Sequence, residues 1–173
     1  MKLKLVTMAG LLAVLSACMS TSPQIGPDAS AWSDYLSWYK VTPEAVTGDP
    51  TGVLGAVHDG RNAFRQIYVN SVGAAVNRGT QGYPYPAGTI LLKESFSDAQ
   101  ALAARRNPDL TIMIKLATGQ SPATGDWEYV MGADGSRRGT GDSGQAAFCR
   151  NCHLYAAATD YNFINSRFFA NNR

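Results

Sequence analysis

Two cysteines and a histidine near the C-terminus are the residues best suited to chemistry. They form a Cys-x-x-Cys-His motif at residues 149–153. This spacing is typical of a c-type haem attachment site, because two thiols add to the haem vinyl groups and the adjacent imidazole reaches the iron. A disulfide or half of a zinc site are the alternatives, but zinc needs about four ligands, and the one other histidine is His58. The motif therefore predicts one covalent haem c, bound through Cys149 and Cys152, with His153 on the iron.

The position of the motif favours an iron with an open side. Electron-transfer cytochromes c carry the motif near the N-terminus and use a later methionine as the second axial ligand. Here the motif is close to the C-terminus and no methionine follows it. Met113, Met131 or His58 could still supply a sixth ligand from upstream, which would make the protein a plain electron carrier. The favoured prediction is a five-coordinate iron that binds a small molecule on its open side.

The N-terminus carries an export signal. Residues 1–17 combine a basic start at Lys2 and Lys4 with an apolar run too short for an ordinary membrane span. The residues up to Cys18 resemble a bacterial lipobox, in which cleavage precedes a cysteine that is then acylated. Ordinary secretory cleavage, with Cys18 left as a free thiol, is the alternative. Ser20 in place of an aspartate would permit sorting to the outer membrane, so we expect a lipid-anchored periplasmic protein.

The mature chain is balanced in charge. Without Lys2 and Lys4, 15 − 2 = 13 basic residues face 13 acidic ones. No basic stripe occurs along the sequence, so nothing indicates a nucleic-acid partner. Residues 18–30 are polar and read as a flexible tether, and residues 31–173 have a length that suits one domain.

The hydrophobic pattern predicts an α+β fold. Trp32, Tyr35, Leu36 and Tyr39 recur at helical spacing before Pro43, which predicts an amphipathic helix of about three turns. Alternating and β-branched runs further along predict strands, which together would form a small antiparallel sheet with an N-terminal helix and a C-terminal haem-binding segment. The predicted strands are 64–72, 89–95, 111–117 and 127–131, a turn follows at 132–135, and a short helix is predicted at 98–106 behind a Ser97-x-x-Gln100 cap.

The order of these segments resembles the cytochrome P-460 family, which includes the cytochromes c′-beta. The resemblance covers roughly residues 31–169 and implies a dimeric, mostly antiparallel β fold with one c-type haem and an open distal site. It is carried by Trp-Tyr-Lys at 38–40, Phe-Arg-Gln-Ile-Tyr-Val-Asn at 64–70, Tyr-Pro-Ala-Gly-Thr-Ile-Leu-Leu-Lys-Glu at 85–94, Thr-Ile-Met-Ile-Lys at 111–115, Trp-Glu-Tyr at 127–129, the haem motif, and Thr-Asp-Tyr at 159–161.

One lysine separates the two branches of the family. In the P-460 branch, the lysine of a Gly-Thr-x-x-x-Lys-Glu segment is bonded to the porphyrin, and the protein oxidises hydroxylamine to nitrous oxide or NO. In the c′-beta branch that bond is absent, the distal pocket is apolar, and NO or CO is bound. Residues 88–94 match the lysine-bearing segment, which implies that Lys93 is linked to the haem. A strand-end lysine in water is the alternative.

The resemblance also implies distal residues that act on the substrate. Arg65 matches an arginine near the distal pocket, where it would donate hydrogen bonds to a bound nitrogen ligand or a propionate; a surface salt bridge is the alternative. Hydroxylamine oxidation also needs a group that takes up protons. Asp160 is the nearest candidate carboxylate, with Glu94 and Glu128 as others, although Asp160 could simply cap a helical turn.

Three functions remain open from the sequence. The first is hydroxylamine oxidation at a Lys93-linked haem, with electrons passed to a periplasmic acceptor. The second is binding of NO or CO without turnover, and the third is electron transfer through a six-coordinate haem. Four phenylalanines near the motif are expected to cover the porphyrin: Phe148, Phe163, Phe168 and Phe169. If one or two of them cap the distal face of the iron, the second function is favoured.

Overall fold

The computed structural model describes residues 26–49, 52, 64–141, 144–165, 168 and 170. Six strands form one antiparallel sheet in which each strand pairs with the next along the chain. The predicted leader, Cys18 and His58 lie outside the described residues. The strands are β1 (Tyr39–Lys40), β2 (Phe64–Val69), β3 (Ile90–Phe96), β4 (Asp109–Lys115), β5 (Trp127–Met131) and β6 (Arg137–Gly139).

Short helical segments complete the fold, so the predicted α+β class is confirmed. Three α-helices occur in the described chain: α1 (Ala74–Asn77), α2 (Ala99–Ala103) and α3 (Gly144–His153). Asp98, not Ser97, caps α2, because its carboxylate accepts the Ala101 amide hydrogen at 2.7 Å. Among the described residues, every helix falls short of the length and apolar character required to cross a bilayer.

The N-terminal helical segment differs from the single amphipathic helix that the sequence predicts. It consists of two 3₁₀ turns, Ala29–Trp32 and Tyr35–Ser37, and the chain then becomes extended at β1. Local polar contacts explain the difference, since the Asp28 carboxylate accepts from Ser30 and the Ser33 hydroxyl donates to the Ser30 carbonyl. Such side-chain bonds compete with regular helical ones and favour short turns.

The two faces of the sheet bury different apolar clusters. One cluster contains Val69, Leu91 and Tyr129 and extends to the residues around α3. The other contains Leu92, Ile112 and Val130 and is covered by Trp32 from the N-terminal turns. Because neighbouring residues of a strand point to opposite faces, the alternation that predicted the strands also divides the two cores.

Candidate functional site

A cavity of about 560 Å³ lies on the sheet face that packs toward α3. Its volume falls in the range of ligand and cofactor sites, and most of its lining is apolar. Strands β2 to β5 form one wall, and α3 with the chain that follows it contributes the rest. The lining residues are Val46, Asp49, Arg65, Ile67, Leu91, Leu92, Lys93, Thr111, Ile112, Met113, Tyr129, Val130, Met131, Phe148, Cys149, Cys152, His153, Asn162, Phe163, Ile164 and Phe168.

The strand register brings the key lysine to this wall. Lys93 pairs with Ile67 on one side and with Thr111 on the other, and Thr111 pairs in turn with Met131. Paired residues on adjacent strands project to the same face of a sheet. All four therefore belong to one row across the cavity wall, which accounts for their presence in its lining.

Helix α3 presents the whole motif to the cavity. Cys149, Cys152 and His153 stand at positions i, i+3 and i+4 of this helix, so they share one of its faces. All three line the cavity, and the two cysteines are not joined in a disulfide. In the described part of the chain, no group of three or more His, Cys, Asp and Glu side chains is arranged to hold a metal ion, so the zinc alternative gains no support.

The imidazole of His153 is oriented for a ligand role. Its Nδ1 lies 2.6 Å from the carbonyl oxygen of Tyr161. Since a carbonyl only accepts, Nδ1 carries the proton and the Nε2 lone pair remains for a metal. The ring packs against Tyr129 and Phe163, with ring centroids 5.3 Å away in each case. Burial lowers the pKa of His153 to about 4, which favours the neutral form that binds metals.

Lys93 occupies the cavity wall rather than open solvent. Enclosure by protein atoms, and secondly the nearby Arg65 guanidinium, together lower the pKa of its amine to about 8. The three ion pairs among the described residues do not include Lys93. The sequence prediction that Lys93 shares a strand face with Leu91 agrees with the lining of the cavity. Its link to a porphyrin stays a prediction.

Arg65 lies at the same wall, together with a carboxylate that the sequence reasoning missed. Arg65 is buried, and its guanidinium donates to the carbonyl of Gly48. An isolated β-bridge joins Val46 to Arg65 through amide–carbonyl bonds of 2.8 and 2.9 Å. This bridge holds the segment against β2 and brings Asp49 to the cavity. No motif surrounds Asp49 in the sequence, so nothing in the local pattern indicates its place at the cavity.

Asp160, the nearest candidate carboxylate in the sequence, is engaged away from the cavity lining. One of its oxygens lies 2.6 Å from the ammonium of Lys115, and the other accepts the amide hydrogen of Tyr85 at 2.8 Å. Asp160 also stands at the C-cap of the 3₁₀ turn Leu154–Thr159. The structure therefore supports the alternative interpretation, in which Asp160 ends a helical turn.

Glu94 and Glu128 project to the opposite face of the sheet. Glu94 accepts from the Tyr35 hydroxyl at 2.5 Å and forms an ion pair with Arg105. Glu128 forms an ion pair with Arg138 at 2.6 Å. Each glutamate is the strand neighbour of a cavity residue, Lys93 for Glu94 and Tyr129 for Glu128, and neighbouring side chains of a strand point to opposite faces.

Some of the other candidate residues line the cavity, and the rest lie outside the described residues. Met113 and Met131 both line the cavity, so the structure leaves a sixth ligand from either one open. Phe148, Phe163 and Phe168 also line it, as expected of residues that cover a porphyrin. Phe169 and His58 lie outside the part of the chain that is described.

Comparison with known families agrees with this site. The family described as cytochrome P-460 matches residues 33–164, which is most of the chain and includes the whole sheet and the motif. The protein therefore belongs to the cytochrome P-460 family and is a haem cytochrome. A comparison with curated proteins gave no match.

Proposed function

We propose that this protein is a mono-haem cytochrome c that oxidises hydroxylamine to nitrous oxide or NO, with Lys93 bonded to the haem. The observation that carries the proposal is the sharing of one cavity by Lys93, Cys149, Cys152 and His153. A haem bound through α3 would lie against the strand that bears the lysine. The amine and the macrocycle would then be neighbours, as a covalent link requires.

The residues of α3 fit the group that the family uses. Cys149 and Cys152 would form the two thioethers, and Nε2 of His153 would bind the iron. When bound, the haem supplies an iron that takes electrons from a nitrogen substrate and passes them to a periplasmic acceptor.

Lys93 is suited to act as a nucleophile. Its lowered pKa, about 8, gives a larger neutral fraction near neutral pH than an exposed lysine has. A neutral amine carries the lone pair that attacks an electron-poor carbon. The surrounding apolar residues exclude the water that would otherwise solvate the ammonium form.

Arg65 would bind the substrate by a hydrogen bond, and Asp49 would accept its protons. Conversion of two hydroxylamine molecules to nitrous oxide and water releases four protons and four electrons, so a proton acceptor is needed near the open side. Asp49 is the carboxylate that the described chain brings to the cavity. The guanidinium of Arg65, fixed by Gly48, would hold the substrate oxygen by a directed hydrogen bond.

A second function, binding of NO or CO without turnover, is favoured by a specific observation. Apart from Lys93, Arg65 and Asp49, the described cavity lining is dominated by aliphatic, aromatic and thioether side chains. The three glutamate and aspartate candidates from the sequence are engaged elsewhere in ion pairs. A cytochrome c′-beta-like protein needs only such an apolar cavity and a five-coordinate iron.

We propose the same location in the cell as the sequence predicts. Residues 1–17 would be removed as a signal peptide, Cys18 would carry the lipid anchor, and residues 18–30 would tether the haem domain 31–173 to the outer membrane. The resemblance to the family also supports a homodimer. Replacement of Cys18 by serine, combined with exchange of residues 1–17 for an ordinary secretory signal, should release the mature protein into the soluble periplasmic fraction; continued membrane attachment of this variant would contradict the anchor.

The decisive assay measures hydroxylamine consumption by the haem-loaded protein with an artificial electron acceptor. The account predicts turnover by the unchanged protein and loss of turnover in Lys93→Met, with haem content preserved. The matched control is Lys40→Met, which should keep full activity. Lys40 lies on β1, and its ammonium donates to the carbonyl of Pro43.

Other results would assign other functions. A five-coordinate iron that binds NO and CO but shows no turnover would favour the second function. A low-spin, six-coordinate spectrum that disappears on replacement of Met113 or Met131 would favour an electron carrier instead.

A further inference from the structure

The chain just after the motif adopts a costly backbone conformation. Asp160 and Tyr161 are consecutive residues with positive φ, 55° and 59°. Left-handed backbone is unfavourable for residues that carry a side chain. Such geometry persists where the surroundings over-determine it, and often where function uses it. Here it turns the Tyr161 carbonyl back onto Nδ1 of His153, at 2.6 Å.

A buried ion pair fixes the first of these residues. The Lys115 ammonium, on the last residue of β4, lies 2.6 Å from the Asp160 carboxylate, and both side chains are more than nine-tenths buried. The backbone of Asp160 is held as well, because its carbonyl accepts the indole hydrogen of Trp127 at 2.9 Å. The ammonium also lies 5.0 Å from the centre of the Trp127 ring, close enough for a cation–π contact.

Lys115 also fixes the backbone against which Tyr161 packs. Lys115 donates to the carbonyl of Gly125 at 2.8 Å. The ring of Tyr161 lies directly on Gly125, where an added Cβ would overlap it. Gly125 itself has φ +64°, so both close approach and conformation require glycine. Lys115 therefore contacts both groups that hold the turn in place: the carboxylate of Asp160 and the backbone of Gly125, on which the Tyr161 ring packs.

We propose that the pair Lys115–Asp160, here called the clamp, positions the Tyr161 carbonyl and thereby sets the orientation and donor strength of His153 toward the haem iron. An acceptor on Nδ1 orients the imidazole and raises its basicity as a ligand. The clamp would thus control the reduction potential of the haem through His153. This inference rests on the proposed ligation by His153, which both candidate functions share, and not on catalysis.

A role in positioning also explains why the ion pair is buried. Removal of two charges from water costs several kcal/mol per ion, and apolar residues often replace such pairs without loss of stability. Lys115 and Asp160 lie 45 positions apart and connect β4 to the chain after the motif. Apolar side chains could fill the same space, but they could not fix a carbonyl by directed bonds.

The test uses the haem-loaded full chain and two variants of the clamp. Lys115→Met removes the ammonium, and Asp160→Asn weakens the pair while it keeps an oxygen for the Tyr85 amide. Arg138→Met is the matched control, because the Arg138–Glu128 pair is also buried but lies on the other face of the sheet. The readouts are the iron–histidine stretching band of the ferrous protein, by resonance Raman spectroscopy, and the midpoint potential.

We expect both clamp variants to shift the iron–histidine band to lower frequency and the potential to more positive values, because a misplaced carbonyl makes His153 a weaker donor. Arg138→Met should lower the melting temperature while band and potential stay unchanged. If Lys115→Met fails to load haem, Asp160→Asn decides the matter.

Unchanged band and potential in Asp160→Asn would overturn the proposal, as would equal shifts in the Arg138→Met control. An unchanged protein with a five-coordinate ferrous haem but without any iron–histidine band would overturn the ligation by His153 and the clamp with it. Hydroxylamine turnover does not enter this test, so failure of the catalytic proposal alone would leave the clamp result intact.

Discussion

The cavity wall and the opposite face of the sheet treat charge in different ways. On the face away from the cavity, Glu94 is paired with Arg105 and Glu128 with Arg138. On the cavity face, Lys93 takes part in none of the ion pairs found among the described residues, and it shares the wall with a second cation, Arg65. Adjacent positions of one strand, Lys93 and Glu94, thus belong to different electrostatic environments.

This difference shows which charges serve stability and which serve a ligand. A buried carboxylate whose charge is neutralised by a guanidinium has its requirements met within the protein. The charge of a cation that points into an open cavity is compensated when an anionic or electron-rich ligand binds there. The cavity face is therefore the functional one, and changes on the two faces should have effects of different kinds.

The largest effect is expected where the cavity face would bind its cofactor. The double variant Cys149→Ser, Cys152→Ser removes both thioether positions, so haem should become fully extractable by acidified acetone. Cys18→Ser, which removes the other thiol of the chain, should retain its haem completely. Covalent haem in the double variant would contradict the assignment of α3 as the attachment site.

A smaller effect is expected at the carboxylate of the cavity. Asp49→Asn removes the proposed proton acceptor, so kcat for hydroxylamine should fall about 10²-fold, the lower end of general-base contributions. Haem content and the absorption spectrum should stay unchanged. Glu44→Gln, an exposed acid on the same segment, is the control and should keep its activity. Equal activity in Asp49→Asn and the control would assign the proton to another group.

The smallest effect on function is expected on the opposite face. Glu94→Gln keeps an acceptor for Tyr35 but loses the charge that faces Arg105, so the free energy of unfolding should fall by about 2 kcal/mol. Chemical denaturation of the haem-loaded protein measures this loss. Hydroxylamine turnover and the iron–histidine band should be unaffected; a change in either would break the division between the faces.

The parts of the fold that follow from periodicity could be predicted from the sequence. Strand β5 has the predicted bounds, and alternation placed Lys93 on the face that carries the motif. Strands β1 and β6 have two and three residues, which are too few for a recognisable pattern. The single N-terminal helix was wrong because local serine and aspartate bonds favour 3₁₀ turns.

The parts of the site that depend on distant contacts could not be predicted. Asp160 was interpreted as a distal group from its nearness to the motif in sequence, but its partner Lys115 lies on a strand far from it in the chain. Asp49 reaches the cavity through the bridge between Val46 and Arg65, a contact between residues that are distant in the chain. Neither pairing leaves a local signal, whereas the Cys-x-x-Cys-His motif is local and can be identified from the sequence alone.

The central claim is the bond between Lys93 and the haem, and tandem mass spectrometry of a tryptic digest tests it most directly. The account predicts that trypsin fails to cleave after Lys93 and that the peptide Gly79–Arg105 appears joined to the haem peptide through the porphyrin. Cleavage after an unmodified Lys93 in a fully haem-loaded sample would contradict the claim and make the binding of NO or CO the better account.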